Sequence, residues 1–470
     1  MNKVPAHIFR GYDLRGLVGS ELNSDTVALI GTGYATWLLQ RRIYDCVVGY
    51  DCRTSSPEFS KIIIRELTTA GITVYHIGMT LTQIAYFAQY FFRTRGMVMI
   101  TASHNPKEYN GFKFGTGFSE TMLSDDIINF RDLVISGNFK KRGVTGKHVH
   151  YDITSDYSKD ILRHFDGKVT QKIVVDACSA TAGAFLPELL RRAGCTVIEQ
   201  NTTPDGTFPV GTPDPTEREV QERLAKRVLK EGADLGFSYD ADGDRMGVVD
   251  EKGNLIWNDT LCSLYAKDIL EYLPGSTIVY NTLCSKQVGE VIASEGGKAV
   301  VWVTGHSYIK AKVREVGAAF GGELSGHFYF LDNFYGHDDG AVASLRLLHY
   351  LTRKKETLSE AITKLPQYIS SPEIKLGCPD EIKFEVIKKN ISSSLKTVFP
   401  NATYLEIDGI RLETKSEMCI VRASQNGPYI TVKYETKTKE GFENLKKILG
   451  NLLRAIPDIT FNDGVNTDAL

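Results

Sequence analysis

The chain has 470 residues, 42% hydrophobic and 24% charged, with a formal charge of -2 from 55 Lys+Arg against 57 Asp+Glu. That balance excludes the basic footprint of a nucleic-acid or membrane-surface binder, and the apolar content excludes global disorder. No apolar run approaches the roughly 18 residues of a membrane span, and the 8 cysteines are scattered without a CxxC pair, so a reduced cytoplasmic protein of about three or four domains is expected.

Three stretches share one pattern. The first runs from a buried strand, Cys46–Asp51, through a polar turn to a helix over Phe59–Ala70, then Gly71 and a second strand, Ile72–Tyr75. The second is Ile173–Asp176, a helix over Phe185–Ala193, Gly194 and Cys195–Ile198. The third is Thr277–Asn281, a helix over Val288–Ser294, Gly296-Gly297 and Ala299–Trp302. Parallel strands require such crossovers, and a glycine is suited to the left-handed residue that ends a helix. Three copies predict three α/β domains, at residues 1–150, 151–254 and 255–366. The basic stretch Lys140–His150 and the segment Leu365–Pro372 read as linkers. The last stretch, 367–470, alternates apolar and polar residues and carries a hairpin signal at Gln425-Asn426-Gly427-Pro428, which predicts a smaller α+β domain.

Four loops carry groups suited to chemistry. Thr101–Pro106 follows the apolar strand Met97–Ile100 and contains Ser103 and His104. A serine at the carboxyl end of a buried parallel strand is placed to act as a nucleophile, or it is simply a cap and turn. The hydrolase elbow GxSxG is absent. Asp240-Ala241-Asp242-Gly243-Asp244-Arg245 packs three carboxylates into five residues, which repel unless a cation neutralises them. Their spacing imitates an EF-hand, but Arg245 stands where that loop needs glycine and the flanks read as strands. Hard oxygen ligands with room for a phosphate oxygen suit Mg²⁺, or the segment is an acidic hairpin turn. In Gly321–His327, the side chains of Glu323, Ser325 and His327 alternate along an extended loop and suit sugar hydroxyls, or form a polar turn. In Arg422–Pro428, Arg422 and Ser424 suit a phosphate, or a solvated hairpin. Smaller candidates are Tyr12 and Arg15 in a glycine-flanked loop, and Lys113, close in sequence to Ser103. His148 and His150 could bind metal at strand spacing, but they lie within the basic linker and read as solvated, because no other ligand-rich motif is near them in sequence.

Taken together, the loops resemble the α-D-phosphohexomutase superfamily. Tyr12-Asp13-Leu14-Arg15-Gly16, Thr101–Pro106, Asp240–Arg245, Gly322–His327 and Arg422–Pro428 occur in family order across nearly the whole chain. Gly322–His327, Thr304-Gly305-His306-Ser307 and Phe334–Gly340 are most similar to the bacterial phosphomannomutase/phosphoglucomutase branch. Phosphoglucosamine mutases usually carry Gln at the position of Leu324 and a different phosphate loop. The resemblance implies four domains around a central active-site cleft, and reversible conversion of hexose 1-phosphate to hexose 6-phosphate on mannose or glucose. It implies a phosphoserine at Ser103, with Mg²⁺ held by that group and by Asp240, Asp242 and Asp244. Glucose or mannose 1,6-bisphosphate would serve as the priming activator. Arg245 would steady the serine phosphate, with His104 and Lys113 as candidates for proton handling or charge stabilisation. Tyr12, Arg15, His306, Glu323, Ser325 and His327 would hold the sugar, and Arg422, Ser424, Gln425 and Asn426 the distal phosphate.

Alternatives are the same chemistry on glucosamine or N-acetylglucosamine phosphate, and a non-catalytic sugar-bisphosphate binder. The expected partner is a small phosphosugar, with no nucleic acid or membrane, and the chain is expected to be a monomer or small homo-oligomer. Three departures stand out. Gln425 and Asn426 replace Asn and Thr of the usual phosphate loop. Leu283 stands where related mutases often carry a lysine, for which Lys286 is a substitute by position. Gly211 and Thr212 replace histidines often found after Asp205–Pro209.

Overall fold

A computed structural model of the chain describes residues 4–165, 167–424 and 427–470. The predicted crossovers form. Helices Ser56–Thr69, Leu186–Ala193 and Lys286–Ser294 each lie between two strands, and Gly71, Gly194 and Gly296 take φ of 94°, 117° and 74°. A side chain at those three positions would meet the penalty of the left-handed region, which explains glycine there.

The chain divides into two compact units. The first comprises 1–258, 313–320 and 325–361, and the second 259–312, 321–324 and 362–470. In the first unit, one mixed sheet orders its strands Leu14–Leu17, Tyr109–Gly117, Gly96–Ile100, Asp45–Tyr50, Thr73–Met79 and His148–His150. Strands 96–100, 45–50, 73–79 and 148–150 run parallel, whereas Tyr109–Gly117 is antiparallel to both neighbours. A second sheet orders Leu255–Ile256, Met246–Asp250, Leu235–Tyr239, Lys172–Asp176 and Thr196–Gln200, again with one antiparallel turn-back, at Met246–Asp250. The two sheets therefore share a device. The last parallel strand folds back through a loop into an antiparallel neighbour, and that loop holds Ser103 in the first sheet and the aspartates in the second.

Burial fixes these strands in place. Val48, Val98, Ile100, Phe112 and Phe114 pack against Ile30, Tyr34, Phe59, Ile63 and Phe130 of the flanking helices, all 0–2% exposed. Each such side chain contributes about 1.5–3 kcal/mol when fully buried. Tyr34 also closes its hydroxyl onto the backbone oxygens of Met97 (3.0 Å) and Gly115 (2.7 Å), so the helix grips the strands that flank the serine loop.

In the second unit, Thr277–Asn281 and Lys298–Trp302 pair in parallel. The C-terminal sheet is antiparallel, in the order 403–405, 410–413, 417–423, 429–436, 374–377 and 460–465, and Lys439–Arg454 packs Leu445, Leu449 and Leu453 onto its core. The architecture is three α/β domains followed by a smaller α+β domain. All eight cysteines are free thiols. Among the described residues, no helix is long and apolar enough to cross a membrane.

Two expected linkers contain strands. His148–His150 adds an edge strand to the first sheet, and Ile369–Ser370 pairs with Glu435–Thr436. Their backbone donors and acceptors meet a sheet edge, a pairing that local composition does not encode.

Candidate active site

The serine loop is held from behind by a buried arginine. Arg53, 1% exposed, donates to the carbonyls of Ser103 (2.7 Å), Asn105 (2.6 Å), Pro106 (2.8 Å) and Tyr109 (3.0 Å), and pairs with Asp51 at 3.1 Å. Arg15 adds a bond to the Asn105 side chain at 2.6 Å and pairs with Asp13 at 2.9 Å. Ser103 itself takes φ 47°, and its N–H donates to Thr101 Oγ1 at 2.8 Å. A non-glycine residue in that region is uncommon, and here the surrounding hydrogen bonds specify it.

The Ser103 hydroxyl donates to Asp240 Oδ2 at 2.6 Å, and its oxygen lies 3.2 Å from His104 Nδ1. Asp240, Asp242 and Asp244 are fully buried, and one oxygen of each lies within 4.8 Å of the others. Lys113 Nζ donates to Asp242 (2.7 Å) and Asp244 (2.6 Å). Arg245 Nε donates to Asp240 at 3.0 Å, and its other face pairs with Asp214 at 3.3 Å. Two cations thus face four carboxylates. Asp242 Oδ1 and Asp244 Oδ1 are buried without a hydrogen-bond partner among the described residues. Orphaned carboxylate oxygens at this depth are costly and fit a hard divalent cation.

The protonation tendencies agree. Burial, then Asp244 and Asp242, push Asp240 well above the usual carboxylate range, and burial with Asp242 pushes Asp244 up to about 7. Burial would raise Asp242 too, but Lys113 and Thr82 overcome it and hold Asp242 low. Burial would lower Lys113, yet Asp242 and Asp244 hold it well above the ordinary lysine value. Lys113 is therefore a fixed positive charge. His104, lowered by burial and by Arg245, is neutral near pH 7.

His327 joins this cluster through a backbone bridge to Arg245. Its Nδ1 lies 2.8 Å from Asp338 and 3.8 Å from Asp244. Ser325 is half-buried, as is Tyr12.

The second unit places the remaining candidates. Glu323, 1% exposed, accepts from Gly305 N–H at 2.8 Å, beside buried His306 at the start of helix His306–Glu315. Arg422 pairs through Nε with Asp408 Oδ2 at 2.9 Å. The same oxygen accepts from Thr282 Oγ1 and Thr304 N–H, both at 2.9 Å. Ser424 is buried, and its carbonyl accepts from Lys383. Gln425 and Asn426 lie outside the described residues.

Lys286 does not replace the lysine missing at Leu283. Its ammonium bonds the carbonyls of Thr414 and Lys415, the latter at 3.1 Å, and lies 3.7 Å from Glu290. Leu283 is buried at 4% exposure. His148 and His150, read from sequence as a solvated part of the linker, lie on an edge strand with His76 against both.

Sequence reasoning missed Arg53, Thr82, Asp214 and Asp408, and gave Asp338 no role although it lies in the motif Phe334–Gly340. Each acts by meeting a distant segment. The one local signal was the strand-ending Asp51-Cys52-Arg53.

Comparison with known proteins places the chain. Models of the phosphoglucomutase/phosphomannomutase alpha/beta/alpha domains I, II and III match residues 6–128, 155–253 and 257–368. A phosphomannomutase/phosphoglucomutase of Pseudomonas aeruginosa is 36% identical over 453 residues, 96% of each chain. A phosphoglucomutase of Neisseria meningitidis is 34% identical, covering 98% of this chain and 99% of its own. The solved structure of a family member from Burkholderia thailandensis superposes with a TM-score of 0.88 at 31% identity, over 96% of this chain and 98% of its own. Matched by all three domain models and aligned over at least 96% of its length with such relatives, the chain belongs to the phosphoglucomutase/phosphomannomutase family and is a phosphohexomutase.

Proposed function

We propose that this enzyme interconverts hexose 1-phosphate and hexose 6-phosphate, with mannose and glucose as the sugars, through a phosphoserine at Ser103 and a sugar 1,6-bisphosphate. The carrying observation is the 2.6 Å bond from Ser103 Oγ to Asp240, beside two further buried carboxylates with orphaned oxygens.

The first step forms a bond between phosphorus and a sugar hydroxyl oxygen and breaks the bond from phosphorus to Ser103 Oγ. Neutral His104, with its ring nitrogen 3.2 Å from that oxygen, is suited to hold the proton exchanged between the hydroxyls. Lys113 keeps its charge and orients Asp242 and Asp244. Arg245 offers Nη2, which has no hydrogen-bond partner among the described residues, to a phosphate oxygen. Asp240, Asp242 and Asp244 would hold Mg²⁺ together with the phosphoserine, and that ion would neutralise charge on the transferring group. The bisphosphate then returns its other phosphate to Ser103.

Tyr12, Arg15, His306, Glu323, Ser325 and His327 are assigned to the sugar, and Arg422 and Ser424 to the phosphate that is not transferring. Gln425 and Asn426 are assigned to that same phosphate on sequence alone.

The test is isomerisation of mannose, glucose and glucosamine 1-phosphates with Mg²⁺ and a priming bisphosphate, for the wild type and Ser103→Ala. The expected result is turnover of the first two, a loss of at least about three orders of magnitude in the variant, and a single phosphate on the wild-type peptide containing Ser103. Full activity of Ser103→Ala removes the nucleophile assignment. Turnover of glucosamine phosphate alone removes the sugar assignment and keeps the chemistry.

A further inference from the structure

Away from the serine and aspartate loops, three histidines converge on one face of the first sheet. Strand His148–His150 pairs in parallel with Thr73–Met79, in a register that sets Val74 against His148 and His76 against His150. Side chains alternate with period two along a strand, so His76, His148 and His150 project from the same face. His76 Nδ1 and His148 Nε2 lie 3.4 Å apart. The His76 ring lies 5.4 Å from that of His148 and 5.3 Å from that of His150, centroid to centroid.

From this arrangement we infer that His76, His148 and His150 form a binding site for a borderline divalent transition-metal ion of the zinc, cobalt or nickel kind. Tetrahedral metal–nitrogen bonds of about 2.0–2.1 Å separate two nitrogens by roughly 3.3–3.4 Å, the spacing found between His76 and His148. The ring nitrogens of the three do not all lie within 4.8 Å of one another, so His150, which is exposed, completes the set by turning its ring toward the other two, as exposed side chains do within nanoseconds. His76 is half-buried, its ring tilted against Tyr50 at 6.0 Å, and its Nε2 is enclosed without a hydrogen-bond partner among the described residues. Asp152, two residues beyond His150 in the chain, is a carboxylate available for the outer shell.

Imidazole nitrogens select such ions over Mg²⁺, which the all-oxygen aspartate loop prefers. The two sites are therefore chemically distinct, and this one does not depend on the mutase reading. The bound ion would tie a three-residue edge strand to a strand 72 residues earlier and pin the segment leading into helix Thr154–Leu162.

The test uses the full chain without a histidine tag, in saturating Mg²⁺, titrated with cobalt(II) and followed by visible absorption and calorimetry. One cobalt ion per chain with nitrogen-ligand bands is expected. Outer-shell changes alone cost about 10–100-fold in affinity, so losing a direct ligand in His148→Ala or His150→Ala weakens binding at least about tenfold. Both side chains are exposed, so neither variant disturbs the core. Amide exchange at residues 148–150 should slow with cobalt in the wild type only. Equal cobalt affinity in the wild type and both variants, or no cobalt bound beyond what Mg²⁺ displaces, overturns the site and leaves only a histidine pair sharing a hydrogen bond.

Discussion

Lys113 Nζ lies 2.7 Å from Asp242 Oδ2, and both side chains are buried. The lysine comes from the antiparallel strand after the serine loop, the aspartate from the corresponding loop of the next domain. With the second pair from Lys113 to Asp244 at 2.6 Å, this contact joins the serine hairpin to the carboxylate hairpin and holds Asp242 low, ready for a cation.

Replacing Lys113 by methionine should destabilise the protein by about 3–5 kcal/mol without divalent ion, because two buried carboxylates lose their partner. Mg²⁺ should restore part of this loss, since a ligand bound only by the folded state stabilises it. Urea unfolding with EDTA and then with Mg²⁺ measures both. Equal stability of variant and wild type in EDTA would remove the charge-compensation role.

Arg53→Lys is a second test. The guanidinium reaches three carbonyls of the serine loop and that of Tyr109 at the start of the next strand, and a lysine cannot copy that fork. Activity should fall at least about tenfold through kcat, with KM little changed, because the loop is misplaced while sugar contacts persist. A rise in KM alone would assign Arg53 to binding instead.

Asp408 gathers Thr282, Thr304 and Arg422 on one carboxylate oxygen. Hydrogen bonds to charged groups contribute about 1.5–3 kcal/mol. Asp408→Asn should therefore raise KM for the phosphosugar roughly tenfold or more through misorientation of Arg422, with kcat nearly kept. A drop in melting temperature with KM unchanged would make Asp408 purely structural.

Glu435 supplies a pH test. Burial raises its carboxyl above the ordinary value, and Lys433 and the bonds from Lys286 N–H and Ser285 only partly offset this. The folded state holds this proton more tightly than the unfolded chain. The associated stability is full below the unfolded value of about 4.3 and is lost as pH rises through the folded one. Glu435→Gln should flatten the stability curve across that interval, measured as urea midpoints from pH 4 upward. Parallel curves for variant and wild type would show that Glu435 does not titrate there.

Legibility followed the range of the interaction. The helix after each first strand, its glycine stop and the strand beyond were readable because periodicity and helix termination are local. The aspartate loop was readable for the same reason. Three carboxylates within five residues repel one another and call for positive charge nearby, which is a local signal.

Other features depended on which segments meet. Lys286 looked like a substitute for the lysine missing at Leu283 because it is near in sequence, but its ammonium is committed to the carbonyls of Thr414 and Lys415. His148 and His150 looked solvated because no ligand stands near them in the chain, but the parallel register brings His76 beside them. Residue types at short spacing indicated the repeated strand–helix–strand units and a cation at the aspartate loop, and the resemblance of five loops in family order implied the reaction class. Only the tertiary structure decided that Arg53 props the serine loop, that Asp214 shares Arg245 with Asp240, and that Asp408 aims Arg422. Each of those contacts joins side chains from separate elements, and long-range pairing is set by burial and backbone register rather than by neighbours in sequence.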